Sequence, residues 1–181
     1  MKRSGNLLAT ALVSASVLYP VFAAVPAKLI WNASASVPIG LYLVEGSEPF
    51  LEGDLVAIDP PWPLAMFLAA RGYLPNGVPL LKHILAVAGQ TVCRDKLTIS
   101  VDGREVGFAL ERDWAGRLLP VWQGCQRIPD GAVFVMNRQV RDSLDGRYFG
   151  LVSTDRIIGR AVPLWTDQQG DGCFQWRART R

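Results

Sequence analysis

A mostly β domain of antiparallel strands with one short helix, carried on a single N-terminal transmembrane helix, is the architecture this sequence predicts. Three observations lead there. Behind a basic Met1-Lys2-Arg3 start no charge occurs until Lys28, and residues 7–27 are mostly Leu, Ala, Val, Phe and Tyr. About 20 such residues suffice to cross a bilayer as a helix. Beyond them, short runs rich in Val, Ile and Leu alternate with Gly, Pro and Asp-Gly turn signals, the pattern of strands. A single stretch, Leu64 to Arg71, has a short helix's length, with Gly72 to stop it.

The N-terminal run sets the topology. Basic residues precede it, so the N-terminus stays cytoplasmic and the rest emerges on the far side. Pro20 would kink the helix, which membrane helices tolerate. A cleavable secretory signal with its small residues at Ala23-Ala24 is the alternative, and it exports the same chain. The length of the run favours a retained anchor. The expected organisation is an anchor over 1–28, a β domain over 29–165 and a polar tail over 166–181, the tail a loose end.

The strands follow in order. Leu41 to Val44 is the first, then Asp54 to Ile58, broken by Pro60-Pro61-Trp62-Pro63. The helix at 64–71 is apolar around much of its surface, so it either belongs to the core, the reading taken here, or lies against another apolar surface. Leu80 to Ala88 is a continuous apolar run interrupted only by Lys82 and His83 and ended by Gly89, the mark of a buried strand. Leu97 to Val101 and Glu105-Val106 flank Asp102-Gly103 as a hairpin. Residues 110–126 read as irregular. Ala132 to Met136 is a strand, 137–146 a polar loop, 148–152 a resumed strand, and Ile157 to Val162 the last one.

Composition narrows the function. With 181 residues there is material for about one domain. The net charge of +3 is spread over mixed acids and bases, without the basic stripe of a nucleic-acid binder. One histidine and three widely spaced cysteines leave no metal site of the usual ligands, and no cofactor is indicated.

Three segments hold residues that suit chemistry. Asn32 to Tyr42, N-A-S-A-S-V-P-I-G-L-Y, places Ser34 and Ser36 ahead of a Pro38-x-Gly40 bend. A serine on such a bend is held by backbone and open to a substrate carbonyl; otherwise this is a Ser-rich loop leading into a strand. Lys82 stands among Leu80, Leu81, Ile84 and Leu85, where desolvation lowers an amine's pKa and lets it act as a base toward a serine hydroxyl without any histidine. Alternatively its amine snorkels out to water. His83, its neighbour on a strand, points to the opposite face and is read as structural. In Arg141 to Gly150, an extended backbone would put Ser143 and Asp145 on one side, and Asp145 can brace Arg147 by a charge-assisted bond; the plain reading is a charged surface turn.

Taken together and in this order, S-A-S-V-P-I-G-L-Y, P-L-L-K-H-I-L-A-V-A-G-Q-T-V and D-S-L-D-G-R-Y-F-G-L-V with I-I-G-R-A resemble the type I signal peptidase family (S26), and within it the conjugative-transfer branch of TraF type, which matures pilin subunits. The resemblance runs from the anchor to about Pro163. It implies a signal-peptidase-like β domain with Ser36 as nucleophile and Lys82 as general base. It implies Ser34 lending its hydroxyl to an oxyanion hole beside the Ser36 N–H, Ser143 orienting the lysine amine, and Asp145 with Arg147 bracing the site. Two departures stand out. Met136-Asn137-Arg138 keeps only the last two residues of the family's Gly-Asp-Asn-Arg, and Gly146 replaces the serine of Asp-Ser-Arg. The one-residue gap between Ser36 and Pro38 suits the TraF-like branch.

The implied function is a membrane-anchored serine endopeptidase of the bacterial inner membrane, single pass, with its catalytic domain in the periplasm. Its substrate would be a pilin-like precursor with a transmembrane signal, its partners the conjugation or secretion machinery, and cyclisation of the product an option. Alternatives are a general leader peptidase, a non-catalytic anchored β module of a secretion assembly, and a lipid- or wall-contacting protein suggested by Trp62 and Phe67. An oxidising compartment predicts a disulfide between Cys93 and Cys125, leaving Cys173 unpaired.

Overall fold

The computed structural model describes residues 29–46 and 48–178. The predicted anchor, 1–28, lies outside the described residues, among which no helix is long and apolar enough to cross a membrane. The described chain is mostly antiparallel β-structure with short helices, as its runs of Val, Ile and Leu predict. Eight strands form the larger sheet. They are β1 (Leu29–Asn32), β2 (Ile39–Glu45), β3 (Leu55–Ile58), β4 (Leu80–Ala86), β9 (Ala132–Val135), β10 (Leu151–Ser153), β11 (Ile157–Asp167) and β12 (Phe174–Trp176). Their order is β1-β2-β11-β3-β4-β9-β10, with β12 also on β11. The smaller sheet runs β7-β6-β5-β8, from β5 (Thr91–Asp95), β6 (Thr98–Val101), β7 (Arg104–Phe108) and β8 (Gly124–Arg127).

Local chemistry explains most of these elements. β3 lies between β11 and β4 and is buried along its length, which is why Leu55-Val56-Ala57-Ile58 has no polar alternation. β2 instead buries alternate residues, Gly40, Tyr42 and Val44. Asp102 and Gly103 both take positive φ (48° and 76°), as the tight β6–β7 turn requires. Cys93 and Cys125 sit directly opposite on β5 and β8, their Cα atoms 4.0 Å apart, and form the predicted disulfide; Cys173 is free. Helix α1 (Trp62–Ala70) begins two residues earlier than expected and buries Ala65 and Leu68, while Trp62 and Met66 face out.

Several expectations are corrected. β1 and β8 were not foreseen. The strand expected to resume at 148–152 is largely a helical turn, α2 (Gly146–Phe149), with only Leu151–Ser153 extended. Asp145 starts that turn, its carboxylate accepting the Arg147 N–H. The helical turn begins only after Asp145, whose own backbone is extended. The last strand runs on to Asp167, and the chain after it is no loose end: Asp167 accepts the N–H groups of Gly170, Asp171 and Gly172 and turns the chain back as β12, whose Phe174 packs on Trp165 and Trp31.

Candidate active site

The serine loop is built around one amide. Asn32, buried at the end of β1, donates through Nδ2 to the carbonyls of Ser34, Val37 and Pro38, and its Oδ1 accepts from the Ser34 N–H and hydroxyl. Tyr42 supports the far end, its hydroxyl donating to Pro38 O at 2.6 Å from a fully buried ring. Gly40 lets the loop enter β2: its φ is 145°, and a Cβ there would lie 2.2 Å from the Trp165 carbonyl. The loop is thus a fixed scaffold for Ser34 and Ser36.

Hydroxyl directions follow. Ser34 has one proton, given to Asn32 Oδ1 at 3.0 Å. In the 3.1 Å contact between Ser34 Oγ and Ser36 Oγ, Ser36 is therefore the donor.

Lys82 stands on β4 with 3% of its surface exposed. Its amine donates to Ser143 Oγ at 2.9 Å. Burial lowers its pKa to about 8; the negative charge of Asp145 works against that shift, and the positive charge of Arg147 adds to it. Lys82, Ser143, Ser34 and Ser36 line one cavity of about 500 Å³, whose other walls include Leu68, Leu80 and Leu144.

Two further groups hold this geometry. Asn137 bridges the serine loop and β4: Nδ2 donates to Ser36 O (2.7 Å) and Leu81 O (3.4 Å), and Oδ1 accepts from the His83 N–H (3.0 Å). The Asp145–Arg147 pair lies beneath. Arg147 forks onto both carboxylate oxygens (2.8 and 2.9 Å) and gives its remaining bonds to the carbonyls of Phe108, Val140, Arg141 and Ser143. Asp145 also accepts the Asn137 N–H. A buried pair this fully bonded fixes the loop that carries Ser143.

Ser34, Ser36, Lys82 and Ser143 thus share one cavity, with Asp145 and Arg147 behind it. Cys93 and Cys125 bond elsewhere, in the small sheet. His83 lies across β4 from Lys82, its Nδ1 3.2 Å from Asn137 Oδ1, and burial lowers its pKa, so it is neutral at physiological pH. The sequence reading did not single out Asn32 and Asn137 as parts of the site. For Asn32 the one local signal is an Asn two residues before a Ser, because such amides close local turns; Asn137 has none.

Residues 1–165 match the family model described as "Signal peptidase, peptidase S26". A probable conjugal transfer protein TraF of Sinorhizobium fredii (strain NGR234) is 38% identical over 146 residues, 75% of this chain and 76% of that one. A conjugal transfer protein TraF of Agrobacterium fabrum (strain C58) is 35% identical over 147 residues, 75% of this chain and 81% of the other. A crystal structure of a signal peptidase I from Enterococcus faecalis overlaps loosely, at TM-score 0.37 and 19% identity over 64% of this chain and 98% of its own, and carries no part of the assignment. By the family match and the identities to its conjugal-transfer members, the chain belongs to the S26 signal peptidase family, alongside proteins named TraF.

Proposed function

We propose that the chain is a membrane-anchored serine endopeptidase working by a Ser36–Lys82 dyad. The observation that carries this is the buried Lys82 amine, drawn down to about pH 8, in the same cavity as Ser36. About a tenth of such an amine is neutral at pH 7, far more than of a lysine in water, and a neutral amine accepts a proton.

At rest the Ser36 hydroxyl donates to Ser34 and the amine to Ser143. For attack, the Ser36 hydroxyl turns to the Lys82 nitrogen, its oxygen bonds the scissile carbonyl carbon, and Lys82 takes the proton. The Ser36 N–H and the Ser34 hydroxyl, turned from Asn32, bind the developing oxyanion. Ser143 holds the amine in line throughout. The C–N bond then breaks, Lys82 protonates the departing amine, and water or another amine releases the acyl group.

The substrate is a protein precursor. The names of the relatives point to conjugative transfer, and a pilin-like precursor with a transmembrane signal suits an anchored enzyme on the periplasmic side of the inner membrane. The Cys93–Cys125 disulfide fits such an oxidising compartment. Leu68, Leu80 and Leu144 favour small apolar residues before the cut.

Ser36→Ala and Lys82→Ala, each co-expressed with a candidate pilin precursor, test the dyad by mass spectrometry of the product. Both variants should leave the precursor whole; a normal product from either one ends the proposal. The mass also separates simple trimming from cyclisation, which lacks one water.

A further inference from the structure

A second cavity, of about 650 Å³, opens on the other side of the serine loop. Ala35, Ser36 and Val140 line both cavities, while Lys82 lines the first and His83 the second. Adjacent residues of β4 thus divide them, and Ser36 stands where they meet. Both have apolar walls, leucines, valine and prolines in the first and Val37, Ile39, Ile84, Leu85 and Met136 in the second; the second adds the long polar side chains of Glu52, Arg138, Gln139, Gln168 and Gln169. The wall from the C-terminal loop is built rather than loose, since the Asp167 carboxylate holds the Gly170, Asp171 and Gly172 N–H groups at 2.8, 3.2 and 2.8 Å. Arg138 gives only its Nε to a carbonyl, that of Val106 at 3.3 Å, and no ion pair engages it or Glu52 among the described residues.

A polypeptide attacked at one carbonyl by Ser36 has a segment on each side of that residue. The acyl segment stays, as an ester, after the C–N bond breaks, and apolar burial can hold it while the other side exchanges. The amine segment leaves with a proton from Lys82, and the acceptor arrives where it lay. A site that trades peptide for water or a second amine suits a wall that carries long polar side chains, which water satisfies when the peptide is gone.

Resting on the dyad reading, we propose that the second cavity is the leaving-group and acceptor subsite. It takes the polar polypeptide segment downstream of the scissile bond, with Arg138 as a specificity-determining residue. When an amine rather than water is the acceptor, its nitrogen bonds the acyl carbon, the Ser36 ester bond breaks, and the amine's proton passes through Lys82 to Ser36 Oγ.

The test compares two substrates with one acyl half, ending in alanine. One continues with five polar residues; in the other, aminomethylcoumarin replaces them. In Arg138→Ala and in the Arg138→Ala/Gln169→Ala double variant, the ratio of kcat/KM for the long over the short substrate should fall at least fivefold against the parent chain, chiefly through KM. Arg138→Lys should restore part of it. Turnover of the short substrate reports that the variants fold. An unmoved ratio, or equal losses on both substrates, overturns the subsite. The dyad reading is checked separately by exposing the parent chain to an acetyl-alanine p-nitrophenyl ester and locating the acyl group by mass. A parent chain that neither cuts nor is acylated on Ser36 overturns that reading and the subsite with it. One that does both while the variants leave the ratio unmoved overturns the subsite alone.

Discussion

The side chain of Asn137 donates to the backbone carbonyl of Ser36 at 2.7 Å across 101 residues of sequence. The same amide reaches Leu81 O and the His83 N–H, which flank Lys82 on β4. One neutral side chain therefore sets the distance between the loop of the serine and the strand of the lysine. Removing it leaves three backbone groups short of a partner, each worth about 1 kcal/mol or more when buried. Asn137→Ala should lower unfolding stability by about 3 kcal/mol and cut kcat at least tenfold with a smaller change in KM. Asn137→Asp, which keeps the acceptor and loses both donor bonds, should recover little activity. Denaturant titration beside steady-state kinetics checks both; an Asn137→Ala chain with parental kcat removes this amide from the positioning of the dyad.

The Lys82 amine makes a signed pH prediction. Its pKa falls from 10.5 in water to about 8 in the fold. Activity that needs the neutral amine should rise with pH and reach half its limit near pH 8. Stability follows the same group by linkage. Between about pH 8 and 10.5 the unfolded chain holds a proton that the folded chain lacks, so this group's contribution grows as pH rises through that window and is lost as pH falls to 8. Lys82→Met should be inactive and should flatten the difference across that window. At pH 7 it should gain up to about 3 kcal/mol from the removed desolvation, less what the lost bond to Ser143 contributes. The check is the difference in unfolding free energy between the two chains at pH 7 and pH 10.

Much of this was legible locally. β2, β3, β4 and β9 announce themselves because Val, Ile, Leu and Phe there meet a buried sheet wherever it lies. Lys82 stood out because a lysine amid leucines is improbable without a use. Residues 148–152 misled because Tyr-Phe-Gly-Leu-Val has a strand's composition. What decides their shape is Asp145 capping the turn and Arg147 binding carbonyls as distant as Phe108. The tail misled for a similar reason: its polar look hid an aspartate that gathers three N–H groups. Asn32 and Asn137 are the quietest case. A neutral amide announces nothing until the fold shows which carbonyls surround it.

Gly146, where the wider family has serine, answers to a neighbour. A Cβ at this position would lie 2.6 Å from the Phe134 ring and 2.7 Å from the Val135 carbonyl. The ring is fully buried and meets Trp122 edge-on, and Trp122 donates to the Gly146 carbonyl. Gly146→Ser should therefore cost about 1–3 kcal/mol of stability by overpacking. It should also lower kcat, because the strain falls between Asp145 and Arg147. Adding Phe134→Leu removes the ring but not the carbonyl, so the double variant should regain part of the loss. A Gly146→Ser chain as stable as the parent would mean that β9 yields more easily than its buried position implies.

The disulfide gives a prediction that separates stability from chemistry. Cys93 and Cys125 close a loop of 32 residues between β5 and β8, in the small sheet. Neither lines the cavity shared by Ser36 and Lys82. The chain-entropy estimate for a loop of that length is about 3–4 kcal/mol. Replacing both cysteines with serine should lower unfolding stability by an amount of that order while kcat at low temperature changes less than about twofold. The remaining thiol, Cys173, is exposed and free, so the double variant also provides the control for labelling it alone. A large fall in kcat at a temperature where the variant remains folded would show that the small sheet steers the site, most directly through Arg94 on β5, whose guanidinium donates to the Arg147 carbonyl.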